Sequence, residues 1–257
     1  MSHSLAITKE ESNTEIAERF TLDKGAHVGN FLHAALEYID FDRFNDPSVA
    51  SELSVYMTQF GVTNHEDPNR VNAYRRWLND VVNTPYLGDL SLRLLNPSDR
   101  LAEMEFNLPI QDDLQASRLN RLVRDYLDHP LAFESVRGHL KGYIDLSFRH
   151  DGKYYVADYK SNYLGDHFDL YDQTHLEVAV RASGYTLQFL IYALAMHRHL
   201  GARLANYHYE RDFGGVYYFY LRGMTPERST GIYFYKPPLE LIESLDSLFG
   251  SGARHDD

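Results

Sequence analysis

Residues 142–162 read GYIDLSFRHDGKYYVADYKSN, two runs of alternating residues separated by Asp151 and Gly152. An Asp-Gly pair between two such runs is the strongest short-range signal for a β-hairpin with a two-residue turn. With the turn at this pair, counting outward along both strands places Asp145 directly opposite Asp158. The sequence therefore predicts two antiparallel strands in which two carboxylates face each other.

Opposed carboxylates on neighbouring strands repel each other and destabilise a sheet unless a cation compensates them. Lys160 follows Asp158 by two residues, so alternation puts it on the same face. Two carboxylates and one ammonium are the minimum set for metal-assisted hydrolysis of a phosphodiester. A polar, solvated face of a half-buried sheet would look similar, because the other face carries Ile144, Leu146, Phe148, Tyr155, Ala157 and Tyr159. From the hairpin alone, both interpretations stay open.

Composition limits the class of protein. A chain of 257 residues with 44% hydrophobic content fits one elaborated domain with a sizeable core. No apolar run approaches the roughly 20 residues that span a bilayer and no signal-peptide pattern is present, so we expect a soluble, cytoplasmic protein without membrane attachment. The chain has no cysteine, which excludes a cysteine-ligated iron–sulfur cluster.

The charge balance bears on nucleic-acid binding. A formal net charge of −12 argues against strong unaided binding, because neutralisation of phosphates by Lys and Arg dominates non-specific affinity. A nuclease module whose substrate strand is delivered by a partner needs few basic contacts, and a bound metal ion adds local positive charge. An acidic nuclease therefore remains compatible with this composition.

Periodicity and turn signals predict a flexible segment over residues 1–24 and a single domain over 25–250, with a helical part over about 25–85 and a core over about 100–250. The predicted helices are 26–40, 51–60, 68–82, 117–127, 174–182, 183–200 and 239–248. Strands are predicted for 101–110, for the hairpin, and for the segments ANYHYE, GGVYYFYLRG and GIYFY, with a turn at 213–215. This order predicts an α/β fold with a mixed central sheet flanked by helices.

The hairpin, the strand before it and the helix after it resemble the PD-(D/E)XK nuclease superfamily. In that pattern an Asp on one strand, an acidic residue plus Lys on the next, an upstream Glu and a downstream helix build one metal site. Asp145 stands for the first strand's aspartate, and Asp158-Tyr159-Lys160 stands for the second half. The resemblance implies a restriction-endonuclease-like core, here with a helical N-terminal elaboration.

Further blocks resemble the RecB type of nuclease domain. These blocks are GNFLHAALE, EMEFNLP, KGYIDLSFRHDGKYYVADYKSNYLG, YTLQFLIYALAMHRHL and FGGVYYFYLRGM, and they follow that family's order over most of residues 25 to 235. The resemblance implies a site that binds Mg²⁺ through a helix histidine and two aspartates. Carboxylate oxygens suit Mg²⁺, and one imidazole is tolerated. It further implies that Mn²⁺ can substitute and that Ca²⁺ binds without supporting cleavage.

Site residues are carried over position by position. The metal ligands implied are His33, Glu103, Asp145, Asp158 and the main-chain carbonyl of Tyr159. The catalytic group implied is Asp145, Asp158, Lys160, Glu103, Gln188 and Tyr192. Glu103 is preferred to Glu105 because of the family's Glu-x-x-Phe arrangement, since alternation alone places both on one face.

The resemblance implies a Mg²⁺-dependent DNA nuclease in DNA end processing, recombinational repair or degradation of foreign DNA. Its substrate would be single-stranded or end-processed duplex DNA, supplied by a helicase in cis or trans with RecC- and RecD-like subunits. The chain has no GxxxxGK[ST] phosphate loop, so it carries no motor of that kind. Two alternatives stay open: a catalytically weak docking module of the same fold that binds a RecC-like or other protein, and a stand-alone restriction-like endonuclease.

Overall fold

The computed structural model describes residues 17–250, apart from the side chains of residues 111 and 112. Within these residues a five-stranded sheet has the strand order β1-β2-β3-β4-β5. The strands are β1 (Arg100–Gln115), β2 (Ser135–His150), β3 (Lys153–Lys160), β4 (Phe213–Tyr220) and β5 (Ile232–Tyr235). Neighbouring strands are antiparallel except β3 and β4, which are parallel. The predicted mixed α/β fold is confirmed.

Helices cover both faces of the sheet. They are α1 (Glu18–Thr21), α2 (Ala26–Tyr38), α3 (Val49–Gln59), α4 (Pro68–Asn83), α5 (Ala116–Val123), α6 (Gln173–Ala182), α7 (Tyr185–Arg203), α8 (Tyr209–Asp212) and α9 (Leu239–Phe249). One core cluster joins α2, α3 and α4 to the sheet, and a second joins α5, α6, α7 and α9 to its other face. No single helix among residues 17–250 is long and apolar enough to cross a membrane; α6 and α7 pass that test only as a pair bent by 89°.

Helix α2 positions the first candidate ligand. Its buried residues recur at helical spacing and face the sheet: Val28, Phe31, Leu32, Ala35 and Leu36. Gly29 lies on the same helix, where a Cβ atom would lie 2.8 Å from Ser161 Oγ, directly after β3. The missing side chain lets α2 approach the end of β3 closely, and the next turn of the helix then brings His33 to that end.

The hairpin has the predicted register. The β2–β3 ladder runs from His150 and Lys153 to Leu146 and Ala157, and it ends one step before the two aspartates. The two strands therefore separate where the site begins. Ile144 packs in the core beneath α7, whereas Leu146 packs beneath α2. The prediction that Ile144 shares a face with Leu146 is wrong, because the alternation of β2 shifts at the residue between them.

Two predictions in the C-terminal half are also wrong. Residues 205–210, predicted as a strand, form a loop over 205–208 and the start of α8, and the predicted turn at 213–215 lies inside β4. The glycines there make room for aromatic rings: a Cβ on Gly214 would lie 2.1 Å from the Tyr155 ring, and one on Gly215 would lie 2.5 Å from the Phe234 ring. Close packing of rings on the strand, not chain reversal, explains this glycine pair.

The N-terminal segment packs earlier than predicted. Residues 1–16 of the predicted flexible segment lie outside the described residues. In α1, however, Arg19 and Phe20 are buried, and Arg19 pairs with Asp80 of α4. The fully buried Arg222 donates hydrogen bonds to the carbonyl oxygens of Arg19 and Asp23. The folded unit therefore begins before the predicted domain start at residue 25.

Candidate active site

A closed polar network lies between the end of β3 and α7. Lys160 Nζ is 2.6 Å from Asp158 Oδ2, and the two side chains are 8% and 5% exposed. Lys160 also donates to Gln188 Oε1 at 2.8 Å, and the Tyr192 hydroxyl donates to Asp158 Oδ1 at 2.9 Å. Gln188 Nε2 donates to the Tyr192 hydroxyl oxygen at 2.8 Å. Each buried charge therefore has hydrogen-bonding partners, as charges removed from water require.

Two tyrosine rings enclose the Lys160 ammonium from the other side. Its Nζ lies 3.8 Å from the ring centroid of Tyr185 and 4.7 Å from that of Tyr218. The Tyr218 hydroxyl donates to the carbonyl oxygen of Tyr185 at 2.7 Å and lies 3.1 Å from Gln188 Oε1. The aromatic faces attract the cation. Lys160 is thus held in one place by a carboxylate, an amide oxygen and two rings.

Helix α2 and strand β2 form the more open side of the site. His33 Nε2 lies 2.8 Å from the main-chain oxygen of Tyr159, and His33 Nδ1 lies 3.4 Å from Asp145 Oδ2. The same Asp145 oxygen accepts a hydrogen bond from the main-chain N–H of Tyr159 at 2.7 Å. The carboxylate of Asp145 therefore fills the gap where β2 and β3 separate, and it links both strands to α2.

Glu103 has a backbone conformation that is rare for a residue with a side chain. Its φ is +49°, in the left-handed region, inside strand β1. The pairs Ala102–Leu146 and Met104–Ile144 bracket it, so Glu103 is level with Asp145. Strain of this kind persists where the surrounding structure enforces it, and it clusters at functional sites. Glu105, by contrast, pairs regularly with Tyr143 and is exposed.

The site carries excess negative charge. Burial raises the pKa of Asp158, and the nearby charge of Asp145 raises it further against the influence of Lys160. Burial also raises the pKa of Glu103, with the charges of Asp145 and Glu37 adding to the shift. Burial of the His33 ring opposes its protonation, but the hydrogen bond and charge of Asp145 outweigh that effect and raise its pKa. A bound cation would relieve this crowding of carboxylates.

The donors fit a small divalent cation in kind. They are carboxylate oxygens, one imidazole and one main-chain carbonyl, a set that suits Mg²⁺ or Mn²⁺. His33 Nε2 and the main-chain oxygen of Tyr159 lie 2.8 Å apart in a hydrogen-bonding contact, so two of these donor atoms already lie side by side. Among residues 17–250, no three His, Asp or Glu side chains already converge as a metal cluster. Asp158 is turned toward Lys160 and Tyr192, so convergence requires side-chain rotation.

All the predicted site residues lie around the point where β2 and β3 separate: His33, Glu103, Asp145, Asp158, Tyr159, Lys160, Gln188 and Tyr192. Sequence reasoning missed three further contributors. Tyr185 shares a side of α7 with Gln188 by spacing, which was the available signal. Tyr218 reaches the site through the parallel pairing of β3 with β4, which local patterns do not predict. Gly29 could have been suspected as a glycine inside a helix, one turn before His33.

Comparison with known proteins identifies the family of this chain. The family model described as the PD-(D/E)XK nuclease superfamily matches residues 6–247. The chain therefore belongs to the PD-(D/E)XK nuclease superfamily, whose members generally use divalent metal ions. This assignment confirms the resemblance that the hairpin and its neighbouring blocks indicated.

Within that superfamily, the chain is similar to the RecBCD enzyme subunit RecB of several bacteria. It is 40% identical to the protein from Escherichia coli (strain K12) over 88% of this chain and 19% of that protein. It is 36% identical to the Haemophilus influenzae protein over 89% and 19%, and 30% identical to the Mycolicibacterium smegmatis protein over 90% and 24%. The chain thus spans about a fifth of the length of the first two relatives.

Proposed function

We propose that the protein is a Mg²⁺-dependent DNA nuclease that hydrolyses phosphodiester bonds. The observation that carries this proposal is the buried Asp158–Lys160 pair beside the carboxylates of Asp145 and Glu103. On a solvated polar face, charged side chains such as these would be hydrated by water and would not need hydrogen-bonding partners inside the protein. Here one ammonium is immobilised next to an acidic cluster, which is the arrangement that metal-assisted phosphodiester hydrolysis needs.

The site residues have different roles in the proposed reaction. His33, Glu103, Asp145, Asp158 and the Tyr159 carbonyl hold the ion, which when bound polarises a phosphoryl oxygen and lowers the pKa of a water molecule. Lys160 orients the attacking water or stabilises the charge that develops on the phosphate. Gln188 and Tyr192 keep Lys160 and Asp158 in position, because each donates to or accepts from one of them. Mn²⁺ can replace Mg²⁺, and Ca²⁺ binds without supporting cleavage.

The wider role follows from the relatives. They are named as subunits of the RecBCD enzyme, and this chain matches only about a fifth of their length. We infer that the nuclease works with a helicase, in cis or trans, and with RecC- and RecD-like subunits, in DNA end processing, recombinational repair or degradation of foreign DNA. The net charge of −12 supports delivery of the DNA by such partners over unaided capture.

The proposal is tested by cleavage of labelled single-stranded and duplex DNA with and without Mg²⁺. Wild type should cleave only with the metal, and Asp158→Ala and Lys160→Ala should lose cleavage. Lys153→Ala is the matched control, because Lys153 lies on the same strand but is exposed at the hairpin turn. Undiminished cleavage in the Asp158 and Lys160 variants would contradict the proposal. Internal cutting of circular DNA would point instead to a stand-alone endonuclease.

A further inference from the structure

Strand β2 has two halves that differ in their neighbours. From Leu146 to Phe148 it pairs with both β1 and β3, and Arg149 and His150 pair with β3 alone. From Ser135 to Ile144 its only strand partner among the described residues is β1, so its other edge is open. The open half ends at Asp145. A two-stranded ribbon therefore leads directly into the candidate active site.

The ribbon has one packed face and one exposed face. Leu140 and Ile144 pack toward the core beneath α7 and α9, and Gly142 leaves room for the Phe106 ring, which would lie 2.6 Å from an added Cβ. The alternate residues of the regular part of β2 are exposed: His139, Lys141 and Tyr143. Arg137 is also exposed, but it lies beyond Gly138, whose φ is +104°, where the register with β1 shifts. Their face is opposite the α7 core, which is the side of the sheet from which α2 brings His33 to Asp145.

The chemistry of this exposed face is basic and aromatic. Lys141 has no ionic or hydrogen-bonding partner among the described residues, and the Tyr143 side chain is 54% exposed. His139 Nδ1 lies 2.8 Å from Asn107 Oδ1 on β1, which fixes the ring on this face.

Acidic side chains of β1 lie near these residues. Arg137 pairs with Asp113 of β1, and Glu105 lies opposite Tyr143. Asp113 therefore offsets Arg137, while Lys141 keeps its charge. In a chain with a net charge of −12, a free ammonium two residues from an exposed ring stands out.

Alternation sets the spacing of these side chains. Successive residues on one face of a strand lie about 6.7 Å apart, because each residue adds about 3.3–3.4 Å. A row of cationic and aromatic groups along a backbone is how proteins bind single-stranded nucleic acid, with phosphates near the cations and bases stacked on the rings. A base can stack on Tyr143 only when it is unpaired, so the chemistry selects a single strand over a duplex.

We propose that the exposed face of β2 from His139 to Tyr143 is a binding track for single-stranded DNA that leads the strand to Asp145. This inference rests on the proposed nuclease function and specifies its substrate path. Tyr143 stacks on a base adjacent to the scissile phosphate, and Lys141 contacts the next phosphate along the strand. The track supplies affinity, whereas the groups at Asp145, Asp158 and Lys160 carry out the cleavage.

The first test measures binding of a fluorescent oligothymidylate to the full chain in EDTA at low salt. Tyr143→Ser should weaken binding about fivefold or more, since base stacking on an aromatic side chain contributes that much. Tyr143→Phe keeps the ring and should bind like wild type. Lys141→Glu should weaken binding and lower the dependence on salt concentration by about one phosphate contact. Lys153→Glu, an equal charge change at the exposed hairpin turn, should have little effect.

The second test measures steady-state cleavage of the same oligonucleotide with Mg²⁺. Tyr143→Ser and Lys141→Glu should raise KM and leave kcat within about twofold of wild type. The track is overturned if both variants bind within twofold of wild type, if wild type fails to bind, or if duplex binding is weakened as strongly as single-strand binding. Wild type that binds the strand through Tyr143 but does not cleave it would instead overturn the nuclease function alone.

Discussion

The two sides of the site differ in how completely the protein satisfies their charged groups. On the α7 side, Asp158 and Lys160 are at most 8% exposed, and each has hydrogen-bonding partners inside the protein. On the α2 side, His33 is 33% exposed, and Glu103 and Asp145 place like charges near each other. On the buried side, the hydrogen bonds and the ion pair hold Asp158 and Lys160 in fixed positions. The open side has unbalanced negative charge and is more exposed to solvent.

The largest expected effect is a difference in the loss of folding stability between a variant on the α7 side and a variant on the α2 side. Asp158→Ala leaves Lys160 buried without a counter-charge, and breaking a buried pair in this way costs about 3–5 kcal/mol. Asp145→Ala loses the hydrogen bond from the Tyr159 N–H and the contact with His33, but it also removes a carboxylate that raises the pKa of both Asp158 and Glu103, so it should cost less. Urea denaturation of the metal-free proteins measures both changes. Equal losses of stability would show that the two sides do not differ as described.

The next effect concerns the hydroxyl that completes the buried network. Tyr192→Phe removes the donor to Asp158 Oδ1, a hydrogen bond to a charged group that contributes about 1.5–3 kcal/mol. We expect the free energy of unfolding to fall by that amount and the cleavage rate to fall about tenfold. Tyr207→Phe is the control, because its hydroxyl contacts His197 away from the site. If Tyr192→Phe matches this control in both stability and cleavage rate, the Tyr192 hydroxyl does not contribute to the buried network.

A smaller effect tests the aromatic enclosure of Lys160. Tyr185→Leu removes the ring that lies 3.8 Å from Nζ, and cation–π contacts contribute about 0.5–2 kcal/mol. Tyr185→Phe keeps the ring and loses only the hydroxyl that lies 3.2 Å from Asn162 Oδ1. Single-turnover cleavage should fall about threefold to tenfold for Leu and stay near wild type for Phe. Equal rates in the two variants would argue that Tyr185 acts only as packing.

The smallest effect is the pH dependence of the open side. The pKa of His33 is raised in the folded, metal-free protein, so His33 contributes stability that is complete below its unfolded pKa of about 6.5. That contribution is lost as the pH rises through the raised folded value. The stability difference between wild type and His33→Gln should therefore shrink as the pH rises above about 6.5, by no more than about 1 kcal/mol for a partly exposed pair. A stability difference between the two proteins that grows with pH would contradict the raised pKa of His33.

Local patterns predicted the parts of the site that lie close together in sequence. The Asp151–Gly152 turn predicted the register of the hairpin from His150–Lys153 to Leu146–Ala157, which ends one step before Asp145 and Asp158. Family resemblance, not pattern, supplied His33 and Glu103, because a helix histidine and one of two alternating glutamates carry no signal of their own. The structure then placed both beside Asp145.

Local sequence patterns could not predict contacts between segments that are distant in the chain. Tyr218 approaches Lys160 only because β4 pairs in parallel with β3, a pairing between residues far apart in the chain. The same long-range packing explains the errors. Gly214 and Gly215 look like a turn in sequence, but they accommodate the rings of Tyr155 and Phe234. The left-handed backbone of Glu103 likewise has no local sequence signal.

The most direct test of the division of labour is cleavage of single-stranded DNA by metal-saturated Lys160→Met. Calorimetric titration first establishes the Mg²⁺ concentration that saturates wild type, Lys160→Met and Asp145→Asn. We predict that Lys160→Met binds Mg²⁺ at least as tightly as wild type yet cleaves about a hundredfold more slowly or worse, whereas Asp145→Asn loses both binding and cleavage. Cleavage at the wild-type rate by metal-saturated Lys160→Met would contradict the account.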